Sequence, residues 1–230
     1  MSLELELREL AESARARRTA EAQAGIDRLV DALRLARLDK DCLQAGETAP
    51  DFELPDADGR PVSLERALAR GPVVIAFYRG GWCPFCNLAL RAFQRALPEI
   101  EALGAGVLAI SPQVNPGPRA TRDKLGLGFP LLADRGNKVA RLFGLTFRLP
   151  PDLVELYRRA EIDIARINGA EDWELPLPAT YVVGRDGDVA RAFVELDFTE
   201  RAEPAAIVAA LREIAGAPRP ADPPLKAGAI

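Results

Sequence analysis

The sequence contains no histidine at all, and only three cysteines among its 230 residues. Without histidine, a serine or cysteine hydrolase that relies on a histidine base is excluded. A usual partner of cysteine in structural zinc sites is missing as well. Cys42 could join Cys83 and Cys86 as a third thiolate, but a fourth ligand would have to be a carboxylate, so neither a metal nor another cofactor is expected. Three cysteines cannot build a disulfide scaffold. No apolar run approaches the roughly 18 residues that span a bilayer, so a membrane is not expected as a partner. The opening Met1-Ser2-Leu3-Glu4-Leu5-Glu6-Leu7 alternates acids with leucines, whereas a secretory leader has a basic end and an apolar stretch. A cytoplasmic location is the expectation. Lys and Arg number 30 against 34 acids, for a net charge of −4. With no basic stripe to neutralise phosphates, nucleic acid is not expected either.

What is present fits an ordinary globular chain. Hydrophobic residues make up 48%, enough for a sizeable core. In a reducing compartment, the pair Cys83-Pro84-Phe85-Cys86 points to redox chemistry rather than to a structural bridge. A nucleophile that must react without a histidine is best supplied by a thiolate of lowered pKa.

The first forty-odd residues read as helix. Ile26, Leu29, Val30 and Leu33 recur at i, i+3, i+4 and i+7, and Gly25 is expected to separate two helices. Such a stripe has to be covered, either by the chain's own domain or by a second copy in a homodimer. We read 1–45 as a helical extension, 46–216 as the main domain with an insertion at about 146–175, and 217–230, rich in Pro, Ala and Gly, as a disordered tail. Within the main domain, Asp51–Leu54 and the segment around Val62 form a hairpin across Asp56-Ala57-Asp58-Gly59, and Ser63 caps a short helix. Val73–Tyr78 is a buried strand, broken by Gly80-Gly81. Pro84 suits the first turn of a helix running to about Leu103, kinked at Pro98. A strand at 107–110, a helix near 119–125, a strand at 129–132 and a helix at 136–143 continue the alternation. The insertion is expected to carry one helix, 152–167. Two strands, 180–183 and 189–194, flank the turn Arg185-Asp186-Gly187-Asp188, and a helix at about 204–215 closes the domain. Strands alternating with helices give an α/β fold.

The order strand, glycines, Trp82, Cys-x-x-Cys, helix carries the chemistry. Free N–H groups and the macrodipole at a helix start favour an anion, so a thiolate there is stabilised. Cys83 falls near the N-cap and Cys86 one turn later, close enough to exchange between dithiol and disulfide.

Several motifs resemble the alkyl hydroperoxide reductase/thiol-specific antioxidant (AhpC/TSA) family. They are Gly46-Glu47-Thr48-Ala49-Pro50-Asp51-Phe52-Glu53-Leu54, Pro130-Leu131-Leu132-Ala133-Asp134 and Leu142-Phe143-Gly144-Leu145. The stretch Phe77-Tyr78-Arg79-Gly80-Gly81-Trp82-Cys83-Pro84-Phe85-Cys86-Asn87 is similar to its peroxiredoxin-like branch. The resemblance implies a thioredoxin-like fold, a central mixed sheet flanked by helices. It also implies a thiol-dependent peroxidase that reduces hydrogen peroxide or organic hydroperoxides and is recycled by thioredoxin or glutathione. On that pattern Cys86 holds the attacking slot, while Cys83 replaces a Thr and Arg79 a Pro. The family's late arginine has no counterpart at Leu177-Pro178-Ala179-Thr180. Trp82-Cys83-Pro84-Phe85-Cys86 also resembles the thioredoxin motif, in which the first cysteine attacks. In that comparison Leu177-Pro178-Ala179-Thr180 resembles the cis-proline loop, and Ala76 stands where a buried acid would be. That alternative implies a dithiol–disulfide oxidoreductase. The family slot favours Cys86 as nucleophile and exposure at the helix tip favours Cys83, so the order stays open. Trp82, Arg79 and Pro178 are candidate substrate-binding residues, and Cys42 reads as an unpaired cysteine.

Overall fold

The structure is a computed structural model, which describes residues 2–216. The tail expected to be disordered, 217–230, lies outside the described residues. The elements, in chain order, are α1 (Leu3–Arg17), α2 (Ala20–Leu35), α3 (Leu38–Asp41), β1 (Glu53–Pro55), β2 (Pro61–Ser63), α4 (Leu64–Leu68), β3 (Val73–Phe77), α5 (Pro84–Ala102), β4 (Gly106–Ser111), α6 (Pro118–Leu125), β5 (Leu131–Ala133), α7 (Lys138–Leu142), β6 (Thr146–Arg148), α8 (Pro151–Arg159), α9 (Ile164–Asn168), β7 (Glu174–Pro176), β8 (Ala179–Val183), β9 (Val189–Val194) and α10 (Pro204–Gly216).

The central sheet has the order β5-β4-β3-β8-β9. β3, β4 and β5 run parallel, while β8 and β9 are antiparallel to their neighbours. This is the mixed sheet of a thioredoxin-like fold. All five residues of β3 are buried, as a strand covered on both faces requires. The side chains of β3 alternate between two cores. Val74 and Ala76 face a core that contains Cys83, Cys86, Phe93 and Ile100 of α5 and its N-cap, together with Leu3 and Leu7 of α1 and Ile207 and Leu211 of α10. Val73, Ile75 and Phe77 face a second core that holds Cys42, Phe52, Phe143 and Tyr181.

Two expectations are corrected. The break between the N-terminal helices falls at Arg18-Thr19, where the Thr19 side chain accepts the Ala22 N–H as an N-cap. Gly25 lies inside α2. Its missing side chain admits α8, since a Cβ there would stand 3.1 Å from Leu153 Cδ2. The segment expected to hold one helix holds two. Glu161 has a φ of 58°, a region L-residues seldom occupy, and the Asp163 side chain caps α9 by accepting the Arg166 N–H. The hydrophobic period continues across this joint while the backbone does not. The chain's own domain covers the N-terminal helices: Leu3 and Leu7 are buried on the α5 core, and Ile26 and Leu29 pack with Leu153 and Trp173. Burying Leu3 and Leu7, at 2% and 4% exposure, is worth about 1.5–3 kcal/mol each.

Candidate functional site: a dithiol under two arginines

The site is built where β3 ends and α5 begins. Tyr78 N–H still donates to Ile110 at 2.9 Å, and the chain then turns through two glycines. Gly80 has a φ of +142°, and a Cβ on it would lie 2.4 Å from Trp82 Nε1. A Cβ on Gly81 would lie 2.1 Å from Thr121 Oγ1. Gly81 N–H donates to Gln113 Oε1 at 2.6 Å, and Asn87 Nδ2 donates to Gly81 O at 3.0 Å. The turn is thus tied down by Gln113, and Thr121 leaves no room for a side chain at Gly81; sequence reading singled out neither.

Pro84 opens α5, as its missing N–H and fixed φ favour, and Cys83 is the N-cap. Both thiols are reduced and buried, Cys83 at 2% exposure and Cys86 at 0%. Exposure therefore does not single out Cys83, contrary to the sequence-based argument. Nor does the Cys83 side chain cap the helix amides. The pair is polarised the other way. Burial raises the pKa of the Cys86 thiol, but the donating Cys83 thiol, Arg201, Arg79 and the Arg79 backbone amide outweigh it and hold Cys86 well below the usual thiol range. Cys83 is raised well above that range by its bond to Cys86, by burial and by the neighbouring Cys86 charge. Two adjacent sulfurs cannot both ionise at low cost, and the cations gather on one of them.

Arg201 Nη2 lies 3.0 Å from Cys86 Sγ. A compact turn places it there. Asp197 Oδ1 accepts from Thr199 N–H at 2.9 Å and from Thr199 Oγ1 at 2.8 Å, and Arg201 Nη1 donates to Phe198 O at 2.7 Å. Sequence reading missed Arg201. Arg201 follows β9, and the position ahead of β8, Leu177-Pro178-Ala179-Thr180, holds no arginine, as expected.

Arg79 is 2% exposed, not an exposed residue at a strand end. Its guanidinium sits 4.8 Å from the Trp82 ring, 4.5 Å from Phe198 and 5.9 Å from Tyr157, within cation–π range. Its Nη2 donates to the Tyr157 hydroxyl. Trp82 stands edge-on to Tyr157, ring centroids 5.8 Å apart, and Phe198 edge-on to Phe85 at 5.6 Å. Trp82, Tyr157 and Phe198 thus enclose the Arg79 guanidinium on three sides.

Pro178 is buried beside the end of β3, because Ala179 pairs with Phe77. The expectation of a cis bond is not met. The cis peptide bond among the described residues is Asn115–Pro116. Leu177 N–H is bonded to Leu145 O at 2.7 Å and Pro178 O accepts Glu195 N–H at 3.0 Å, so the chain enters β8 extended. Cys42 belongs to the other core. Its thiol donates to Leu38 O at 3.1 Å and Gly144 O at 3.2 Å. Burial, with Asp39 and Asp41, pushes it up to about 12.

A thioredoxin-like sheet with a cysteine pair opening the helix after its central strand defines the class: a thiol-redox scaffold. The AhpC/TSA family profile matches residues 45–192. The chain belongs to the AhpC/TSA family. It is 38% identical over 108 residues to the chloroplastic peroxiredoxin Q of Sedum lineare, covering 47% of this chain and 55% of that one. Its likeness to the chloroplastic peroxiredoxin Q of Suaeda salsa is 33% over 144 residues, 63% of this chain and 56% of that one. The chain spans about half the length of these curated relatives. The crystal structure of the peroxidoxin BcpB from Mycobacterium tuberculosis superposes with a TM-score of 0.58 at 25% identity, over 75% of this chain and 98% of that one.

Proposed function

We propose that the chain is a thiol-dependent peroxidase in which Cys86 attacks the peroxide and Cys83 resolves the product. The observation that carries this reading is Arg201 Nη2 at 3.0 Å from Cys86 Sγ, a cation that favours the thiolate and helps hold Cys86 below the usual thiol range. A peroxidase needs a thiolate at neutral pH with positive charge beside it, to stabilise the oxygen that leaves. The curated relatives are named peroxiredoxins, which supports the same chemistry.

In the first step the Cys86 sulfur lone pair attacks one peroxide oxygen and the O–O bond breaks. The other oxygen leaves as alkoxide or hydroxide and takes up a proton, giving alcohol or water and a sulfenic acid on Cys86. In the second, the Cys83 sulfur attacks the sulfenic sulfur and the S–O bond breaks. Hydroxide leaves with the Cys83 proton as water, and a Cys83–Cys86 disulfide remains. A thiol donor of the thioredoxin or glutathione class returns two electrons and two protons. Arg79 and Arg201 carry the positive charge, Trp82 packs on the Arg79 guanidinium, and Pro178 is buried beside the end of β3. The cytosol, which keeps unpaired thiols reduced, is the location we favour.

The alternative, a dithiol–disulfide oxidoreductase, requires a substrate disulfide to reach a sulfur in line. Both sulfurs are buried, Cys83 at 2% and Cys86 at 0% exposure, which admits a small peroxide more readily than a protein disulfide. The test is peroxide consumption with thioredoxin and its reductase, set against insulin reduction. Cys86→Ser should abolish peroxide consumption. Cys83→Ser should complete a single turnover and leave a sulfenic acid that a dimedone probe labels. Insulin reduction together with peroxide consumption no faster than that of a free thiol would refute the assignment.

A further inference from the structure

A buried arginine normally needs an acceptor for its charge, because desolvating a cation without compensation is costly. Among the described residues Arg79 meets no carboxylate. Its one side-chain acceptor among them is the Tyr157 hydroxyl, and its Nε has no hydrogen-bond partner there. Three rings box its guanidinium. Trp82 belongs to the dithiol motif and Phe198 to the turn that presents Arg201. Tyr157 comes from α8, in the 146–176 segment, and reaches the site from outside the central sheet. α8 in turn is held by α2: Leu153 packs on the bare backbone of Gly25, and Arg28 Nη2 pairs with Asp152 Oδ2 at 2.7 Å.

We propose that Tyr157 is a positioning residue, whose hydroxyl and ring fix the Arg79 guanidinium beside Cys86, so that α8 and the N-terminal helix beneath it govern the reactivity of the dithiol. This rests on the peroxidase reading only for its effect on rate; the placement of charge stands apart from it. Without the hydroxyl, the Arg79 Nη2 donor is buried and unpaired, a state it escapes by turning out of the box towards water. Cys86 then loses one of the two guanidinium charges that favour its thiolate, and keeps Arg201, the Cys83 thiol and the Arg79 backbone amide. The ionisable and charged groups that face Arg79 are Arg18, Tyr157, Cys83 and Cys86, and those that face Cys86 are Cys83, Arg79, Arg201 and Tyr78.

The experiment is a pH titration of thiolate ultraviolet absorbance in the full chain, in wild type and in Tyr157→Phe. The variant keeps the ring and removes only the acceptor. Its titration midpoint should move to higher pH, with the thiolate-to-thiol ratio near neutrality falling about threefold or more. Peroxide consumption should fall in step at pH values at and below the wild-type midpoint and recover at higher pH, where the thiol ionises regardless. A purely structural role would lower the rate at every pH. In an Arg79→Met background, Tyr157→Phe should produce no further shift. If Arg79→Met does not fold, a folded Tyr157→Leu, which also removes the ring, should shift the midpoint further than Tyr157→Phe. A midpoint in Tyr157→Phe that matches wild type or lies below it overturns the proposal. A shifted midpoint in a protein that consumes no peroxide would overturn the peroxidase reading and leave the positioning role standing.

Discussion

Replacing Arg201 by Met keeps much of the side-chain volume and removes the charge that lies 3.0 Å from Cys86 Sγ. Two unit charges at about that distance, at an effective dielectric of about 20, attract by roughly 5 kcal/mol. Loop relaxation and entering water recover part of that, and hydrogen bonds to charged groups contribute about 1.5–3 kcal/mol net. At 1.36 kcal/mol per tenfold change, the thiolate-to-thiol ratio of Cys86 at fixed pH should fall about 10- to 100-fold. The sign follows from the direction of the wild-type shift. Cys86 lies below the usual thiol range, so removing a stabilising cation moves its titration towards higher pH. Ultraviolet thiolate absorbance against pH reads the midpoint, and iodoacetamide alkylation at neutral pH reads the reactive fraction. Arg201 Nη1 also ties the turn to Phe198 O, so Arg201→Lys separates the two contributions by restoring the charge without the fork. Lys should recover a good part of the acidity. An unchanged titration in Arg201→Met, or an equal loss in Met and Lys, would refute the electrostatic account.

Cys42→Ala should leave peroxide consumption intact, because the residue packs on the far face of the sheet, and should cost about 1 kcal/mol in urea unfolding through lost packing. Since the Cys42 thiol is raised from 9.0 to about 12, its contribution to stability is complete below the ordinary thiol value and lost as pH rises through that window. The wild type should therefore lose more stability than Cys42→Ala between pH 9 and 12, as urea midpoints at stepped pH will show. Gly144→Ala should destabilise by at least about 1–2 kcal/mol, from a left-handed φ alone. The new Cβ would stand 2.5 Å from Asp41 O, and thermal denaturation measures the loss. Asp134→Ala strips the acceptor from the Val139 and Ala140 N–H groups that open α7, and should cost about 1–2 kcal/mol by the same assay.

What sequence reading captured was local. Pro84 after a cysteine N-cap, Ser63 before Leu64, and the Arg185–Asp188 turn between β8 and β9 are each settled by a few neighbouring residues, and the structure agrees. The contacts that complete the site are not local. Arg201 meets Cys86 across 115 positions, and Tyr157 meets Arg79 across 78. No spacing rule links them, and a lone arginine in a polar turn gives no signal before the fold is known. Asp197-Phe198-Thr199, in which the acid accepts the N–H two residues on, is a local pattern that marks the loop carrying Arg201 as ordered. Gly25 failed for a different reason. Propensity treats an interior glycine as a helix breaker, whereas here close packing with Leu153 offsets that cost. Between 160 and 163, apolar periodicity continues across a joint that only the backbone angle of Glu161 reveals.

The alternation along β3 also bears on how the chain tolerates oxidants. Odd-numbered residues of that strand look towards Cys42 and even-numbered ones towards the dithiol, so a five-stranded wall stands between the third thiol and the reactive two. While the molecule stays folded it has a single cross-link open to it. A wrong pairing with Cys42 would need the wall itself to come apart, so a mispaired product would report unfolding rather than turnover.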